Sequence, residues 1–275
     1  MARIMQLCSR MALTVRCEII SDTVCPWCFL GKRRLESAIA NICATDSNAG
    51  AGVHFEPLRW KPWLLNPSLG TEGIPRRNAY LALMGGNERK VASMERKMNV
   101  MFKAEGASFS LDGTMGNTIN SHRLLAAAGR GELSTRIDPL KLQNALVEVL
   151  FKLYFARGQN LAQRDVLLAA AKEAGADTAR AAEALDTRVK DGVREVLHDI
   201  RDAAAIEGVT GVPHFILSVH LAECPALDEG EGRPLIRFAL PGAQEVPVFA
   251  QVLRKLIMKA QAQRKMVMNS DAARL

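Results

Sequence analysis

Two cysteines three positions apart, in Cys25-Pro26-Trp27-Cys28, are the residues whose types and spacing could do chemistry. If a helix begins between them, one turn sets i and i+3 on the same face, and the sulfurs can form and break a disulfide with little backbone movement. The first thiol would lie where unsatisfied N–H groups and the positive end of the helix dipole favour an anion. That setting lowers a thiol pKa from about 8.5 to roughly 3.5–7.5. Cys25 is therefore expected to be the attacking thiolate and Cys28 the resolving thiol. Lys32, Arg33 and Arg34 follow within two turns and add positive charge. Two thiolates are also half of a tetrahedral zinc set. Cys8, Cys17, Cys43 and Cys224 stand alone in the sequence, so no second close pair of Cys or His completes that set and no metal is expected.

A dithiol of this kind needs a strand to deliver it and a helix to hold it. Leu13 to Ile20 is rich in β-branched residues, and Leu35, Ala38, Ile39 and Ile42 repeat at helical spacing after the pair. Val53 to Trp60 reads as a second strand, followed by extended chain at Pro57, Pro62 and Pro67. From Gly73 to about Gly208 the pattern is helical throughout. Its helices are bounded by Pro75 and Gly85-Gly86, Asn87 and Gly106, Asn117 and Gly129, and Asp138-Pro139 and Gly158. Val91, Met94, Met98 and Met101 form a stripe expected to pack in the core. Two alanine-rich helices and a long one ending at Gly208 follow. Strands return with Gly211-Val212-Pro213-His214-Phe215-Ile216-Leu217 and with Leu235 to Leu240, and the segment from Cys224 to Pro234 reads as an exposed acidic loop between them. Pro247 to Met258 closes the chain as a helix, and the remainder is expected to fray.

The expected architecture is α/β, a thioredoxin-like fold carrying a large all-helical insertion. Residues 13–73 and 186–260 would form the thioredoxin-like part and residues 74–185 a strand-free helical insertion. Residues 1–12 would be an extension and residues 261–275 a basic tail.

Composition bounds the function classes. At 275 residues and 48% hydrophobic content the chain is globular. The formal charge of +7 comes largely from its two ends, with no aromatic and basic interleaving, so nucleic acid is not an expected partner. No apolar run approaches the ~18 residues that span a bilayer. The first fifteen residues are interrupted by Arg3, Gln6, Ser9 and Arg10, which is unlike a secretory signal. A cytoplasmic location is expected. The mitochondrial matrix is the alternative, because the segment also has the Arg- and Ser-containing, acid-free character of a presequence.

From Val15 to Leu256 the chain resembles the DsbA-like branch of the thioredoxin superfamily, and within it the FrnE-like oxidoreductases, relatives of 2-hydroxychromene-2-carboxylate isomerases and kappa-class glutathione transferases. The residues that carry the resemblance are Ser21-Asp22-Thr23-Val24-Cys25-Pro26-Trp27-Cys28 with Gly31-Lys32-Arg33, then Leu64-Leu65-Asn66-Pro67. Asn117-Thr118, Ser121-His122-Arg123-Leu124, Gly208-Val209-Thr210-Gly211-Val212-Pro213 and Pro241-Gly242-Ala243-Gln244 follow in order. The resemblance implies a cis peptide at Val212-Pro213 facing the dithiol, with Val212 offering its main chain to an extended substrate. Pro26 and Trp27 would support the site, and Asn117, His122 and His214 are candidate substrate contacts, with structural roles as their alternative. The implied activity is thiol–disulfide exchange through a mixed disulfide, on a disulfide-containing protein or a thiol substrate. No cofactor is required, and glutathione or another low-molecular-weight thiol could serve as reductant. The alternative is a glutathione-dependent transferase or isomerase. The related isomerases and transferases carry serine where Cys25 stands, so the pair of cysteines favours redox chemistry. The sequence departs from the family in the long connection from Ser218 to Arg237 and in Cys224, which has no neighbouring cysteine.

Overall fold

The computed structural model describes residues 12–45, 52–186, 188, 191–221 and 234–272. In chain order the elements are β1 (Leu13–Ser21), α1 (Pro26–Thr45), β2 (Val53–Phe55), β3 (Arg59–Pro62), β4 (Ile74–Pro75), α2 (Arg76–Leu83) and α3 (Glu88–Ala104). Then come β5 (Thr114–Met115), α4 (Ile119–Gly129), α5 (Pro139–Phe155), α6 (Arg164–Glu173), α7 (Thr178–Ala184) and α8 (Asp191–Glu207). β6 (His214–Leu221), β7 (Ile236–Pro241) and α9 (Val246–Ala272) complete the described chain. The five-stranded sheet has the order β2-β1-β6-β7, with β3 also pairing β1. β1 and β2 run parallel, Leu13 opposite Val53 and Val15 opposite Phe55, so the two ends of the chain complete one sheet as expected.

By its contacts the chain divides into two compact units, one of residues 1–18, 31–58 and 215–275, the other of residues 19–30 and 59–214. In the first, the alternation of β1 buries Leu13, Val15 and Cys17, and the helical spacing of α1 buries Leu35, Ala38 and Ile42. Phe215 of β6 meets Phe249 of α9 edge-on at 4.8 Å between centroids. Gly31 is required by that packing, since a Cβ there would lie 2.8 Å from the Phe215 ring. Lys32 and Arg34 are also buried in this unit. Lys32 pairs with Glu36 at 2.8 Å and Arg34 with Glu245 at 2.9 Å, so each expected cation carries its own carboxylate partner.

In the second unit the helix starts are those marked in the sequence. Asn87 and Asp138 cap α3 and α5 by accepting from the N–H of Lys90 and Lys141. α5 is the central helix, with Leu142, Leu146, Leu150, Phe151 and Phe155 buried along it. Phe29, Phe102, Phe109, Phe151 and Phe155 form one aromatic cluster, with Phe29 stacked on Phe102 at 4.5 Å. Buried Gln143 accepts from the Trp60 N–H and donates to the Trp60 carbonyl, satisfying the main chain of β3 with a side chain.

Three expectations are corrected. The interval 74–185 is not free of strands, because β4 and β5 form a two-residue antiparallel ladder, Ile74 opposite Met115 and Pro75 opposite Thr114. The Arg76 N–H extends it to the Gly113 carbonyl at 2.9 Å. The strand expected over Val53 to Trp60 is two strands, since Pro57 lacks the N–H that a continuous ladder needs. The last helix continues beyond Met258 to Ala272, the sequence there containing neither Pro nor Gly to stop it. The extension expected at residues 1–12 falls almost wholly outside the described residues, as do Cys224 and most of the acidic loop up to Pro234. The stripe on α3 is core at Val91 and Met98.

Candidate active site

All site residues lie in the second unit. β1 ends at Ser21, and Asp22, Thr23 and Val24 lead into α1. The Cys25 N–H donates to the Asp22 carbonyl at 3.1 Å, and the Cys28 N–H donates to the Cys25 carbonyl at 3.1 Å. Pro26 opens the helix, where its fixed φ fits and its missing N–H would have had no partner. Cys25 thus stands just ahead of the helix and Cys28 one turn in. Both thiols are free. Cys25 is 3% exposed and Cys28 0%, whereas Trp27 between them reaches the surface at 36%.

The Val212–Pro213 peptide is cis. The Cys25 thiol donates to the Val212 carbonyl at 3.7 Å, a contact between residues 187 apart in sequence. Pro213 is buried and His214, also buried, opens β6. Burial pushes the Cys28 thiol well above its ordinary pKa, and the adjacent Cys25 sulfur pushes it further. Hydrogen bonds from the Ser21 hydroxyl and the Asp22 main chain act in the opposite sense.

Asp22 is buried beneath this turn, its Oδ2 accepting from the Leu65 N–H at 2.7 Å and its Oδ1 from the Val24 N–H at 3.5 Å. His122 Nε2 lies 3.5 Å from Asp22 Oδ1. One residue along, the Thr23 and Ser121 hydroxyls are 2.8 Å apart, and Ser121 donates to the Thr118 carbonyl. Ser121, the neighbour of His122, therefore ties α4 to the segment that presents the dithiol. Just ahead of α4, Asn117 accepts from the Ile119 N–H at 2.8 Å and donates to the Pro67 carbonyl at 2.9 Å, which ties the chain at Pro67 to the start of that helix.

Sequence reasoning passed over Arg76, Tyr80 and Tyr154. Arg76 is fully buried, donates to the carbonyls of Ser110 and Tyr154, and lays its guanidinium 3.8 Å from the centre of the Tyr154 ring. Burial lowers its pKa. The Tyr80 hydroxyl is pushed up to about 12 by burial and then by charge at Cys25. Burial also drives Tyr154 far upward, with Cys25 and Asp22 contributing. Pro75 marks the start of α2 in the sequence, but no periodicity marks Arg76 as buried. Among the described residues no cluster of three metal-ligating side chains occurs.

A dithiol at the first turn of a helix, fed by a parallel strand and faced by the residue before a cis-proline that leads into another strand of the same sheet, defines a protein of the thioredoxin class. Residues 16–254 match the DSBA-like thioredoxin domain, and the chain belongs to that family. It is 27% identical over 219 residues to YwbO, an uncharacterized protein of Bacillus subtilis strain 168, covering 74% of this chain and 88% of that one. Its fold is similar to that of a probable DsbA oxidoreductase from Streptomyces coelicolor, with a TM-score of 0.67, 28% identity and coverage of 88% and 89% of the two chains. A candidate protein disulfide isomerase from Nitrosomonas europaea has the same fold at 15% identity, with a TM-score of 0.54 and coverage of 90% and 98%.

Proposed function

We propose that this chain is a thiol–disulfide oxidoreductase in which Cys25 attacks a substrate disulfide and Cys28 resolves the mixed disulfide. The observation that carries the reading is the pair of free, adjacent thiols at the start of α1, with the Val212 carbonyl at the Cys25 sulfur. Cys25, at the helix start, forms the mixed disulfide. Cys28, buried one turn in, reaches only the sulfur already bonded to Cys25, so its role is closure of the Cys25–Cys28 bond. The named relative from Streptomyces coelicolor, an oxidoreductase by its description, supports the same chemistry. The reductant that restores the dithiol is, on this reading, a low-molecular-weight thiol, and a cytoplasmic setting would keep the dithiol reduced.

Substitution tests it directly. Cys25→Ser should form no covalent intermediate with a disulfide substrate. Cys28→Ser should accumulate a mixed disulfide that runs at higher mass and disappears with reductant. If Cys28→Ser traps nothing and keeps full disulfide-reducing activity, the dithiol cycle is wrong.

A further inference from the structure

We propose that the Cys25–Cys28 site takes low-molecular-weight disulfides and is closed to disulfides carried on protein chains, because α3 stands as a fixed wall beside it. This deepens the dithiol reading above and rests on it.

The wall is built from several contacts. The Cys25 residue is 3% exposed and the surface at this turn is presented instead by Trp27. Lys97 of α3 places its ammonium 5.7 Å from the centre of the Trp27 ring. Phe102, on the same helix as Lys97, stacks on Phe29 just after Cys28, with centroids 4.5 Å apart and planes 19° apart. Phe102 also packs on Phe109 at 5.1 Å and on Phe155 at 5.0 Å, and Val91 and Met98 of α3 are buried with it. Moving α3 away from the dithiol would uncover this cluster, which makes the wall part of the core and not a loose flap.

Attack by a thiolate on a disulfide requires the substrate sulfur to reach Cys25 end-on. The reaction is Cys25–S⁻ plus R–S–S–R giving Cys25–S–S–R and R–S⁻. Cys28–SH then gives up its proton, which R–S⁻ takes up, and its sulfur displaces the second R–S⁻ to leave the Cys25–Cys28 disulfide. The protein dithiol is oxidised by two electrons and the substrate disulfide is reduced to two thiols. In a protein substrate each sulfur drags chain on both sides, with Cα atoms only about 5.5–6 Å apart across the bond. A small disulfide brings a single slender arm per sulfur.

The test compares oxidised glutathione with insulin in single turnovers of the reduced full-length protein, each rate normalised to that of free dithiothreitol. A site admitting a protein disulfide a hundredth of the time reacts about a hundredfold more slowly, and a normalised difference of that order in favour of oxidised glutathione is expected. A second measurement needs no substitution: alkylation of the reduced protein by N-ethylmaleimide and by a maleimide carrying a polyethylene glycol chain, mapped by peptide mass spectrometry. Cys43, which is exposed, should take both reagents, and Cys25 only the small one. Equal normalised rates for insulin and oxidised glutathione, or equal labelling of Cys25 by both maleimides, would overturn the proposal. Failure of the dithiol reading shows separately, as a Cys28→Ser protein that traps no mixed disulfide with oxidised glutathione while the size discrimination in alkylation persists.

Discussion

Cys25 and Cys28 differ by one helical turn, and that turn separates their chemistry. Cys28 is wholly buried and its thiol is held protonated by that burial and by the sulfur of Cys25, against which the Ser21 hydroxyl supplies a hydrogen bond. Two outcomes follow. Iodoacetamide should label Cys25 before Cys28 in the reduced protein at pH 7 to 9, read by mass mapping; the reverse order would exchange their roles. Ser21→Ala should raise the Cys28 pKa further and slow closure of the disulfide. The measurement is the rate at which the mixed disulfide disappears, which should be slower in the variant than in the parent protein. The cysteines, Pro26, Trp27 and the Val212–Pro213 pair were legible in the sequence because their chemistry is local or carried by a motif. Arg76 was not, because its acceptors are main-chain carbonyls 34 and 78 residues away, and a charged side chain with no periodic signal reads as solvated.

Elements were legible where their ends carry capping residues, and less so where pairing decides. Asn87 and Asp138 each cap the helix that the sequence placed after them. β4 and β5 are too short for any alternation to register, and they exist because the chain on either side is held by other contacts. The same holds for β3, whose main chain is met by Gln143 from α5. α3 shows what a stripe of apolar residues can and cannot say: Val91 and Met98 point inward as the spacing implies, but the residue that matters most is Phe102, fixed by rings from α1 and α5. Phe102→Ala should therefore cost about 3–5 kcal/mol of stability, since the rings around it cannot collapse into the space without unstacking. The denaturant midpoint checks it. A loss below about 1 kcal/mol would mean that α3 is not anchored through this cluster.

At the scale of the whole molecule both units hold ionisable groups in their neutral forms, a thiol in the first and a thiol with two phenols in the second. Cys17 in one unit is pushed up to about 12, chiefly by burial and then by Glu56 and Glu18. Cys28 and Tyr154 in the other are pushed well up, and Tyr80 to about 12. On unfolding these groups return to ordinary values, 9.0 for the thiols and 10.0 for the phenols. Above pH 9 the unfolded chain therefore holds fewer protons than the folded one, and the free energy of unfolding must fall as pH rises. Below pH 9 both states hold these protons and the contribution is intact. Each group that is ionised only in the unfolded chain adds about 1.4 kcal/mol of loss per pH step, so the decline should steepen through pH 10 as the phenols join the thiols. The measurement is the urea midpoint of the reduced protein at pH 8, 9, 10 and 11. Cys17→Ala isolates one group: it should lower stability at pH 8 through the lost packing, yet make the fall from pH 9 to 11 shallower by about one proton's worth. A slope unchanged by that substitution would show that Cys17 loses its proton in the folded protein too, and that its place in β1 is open to water.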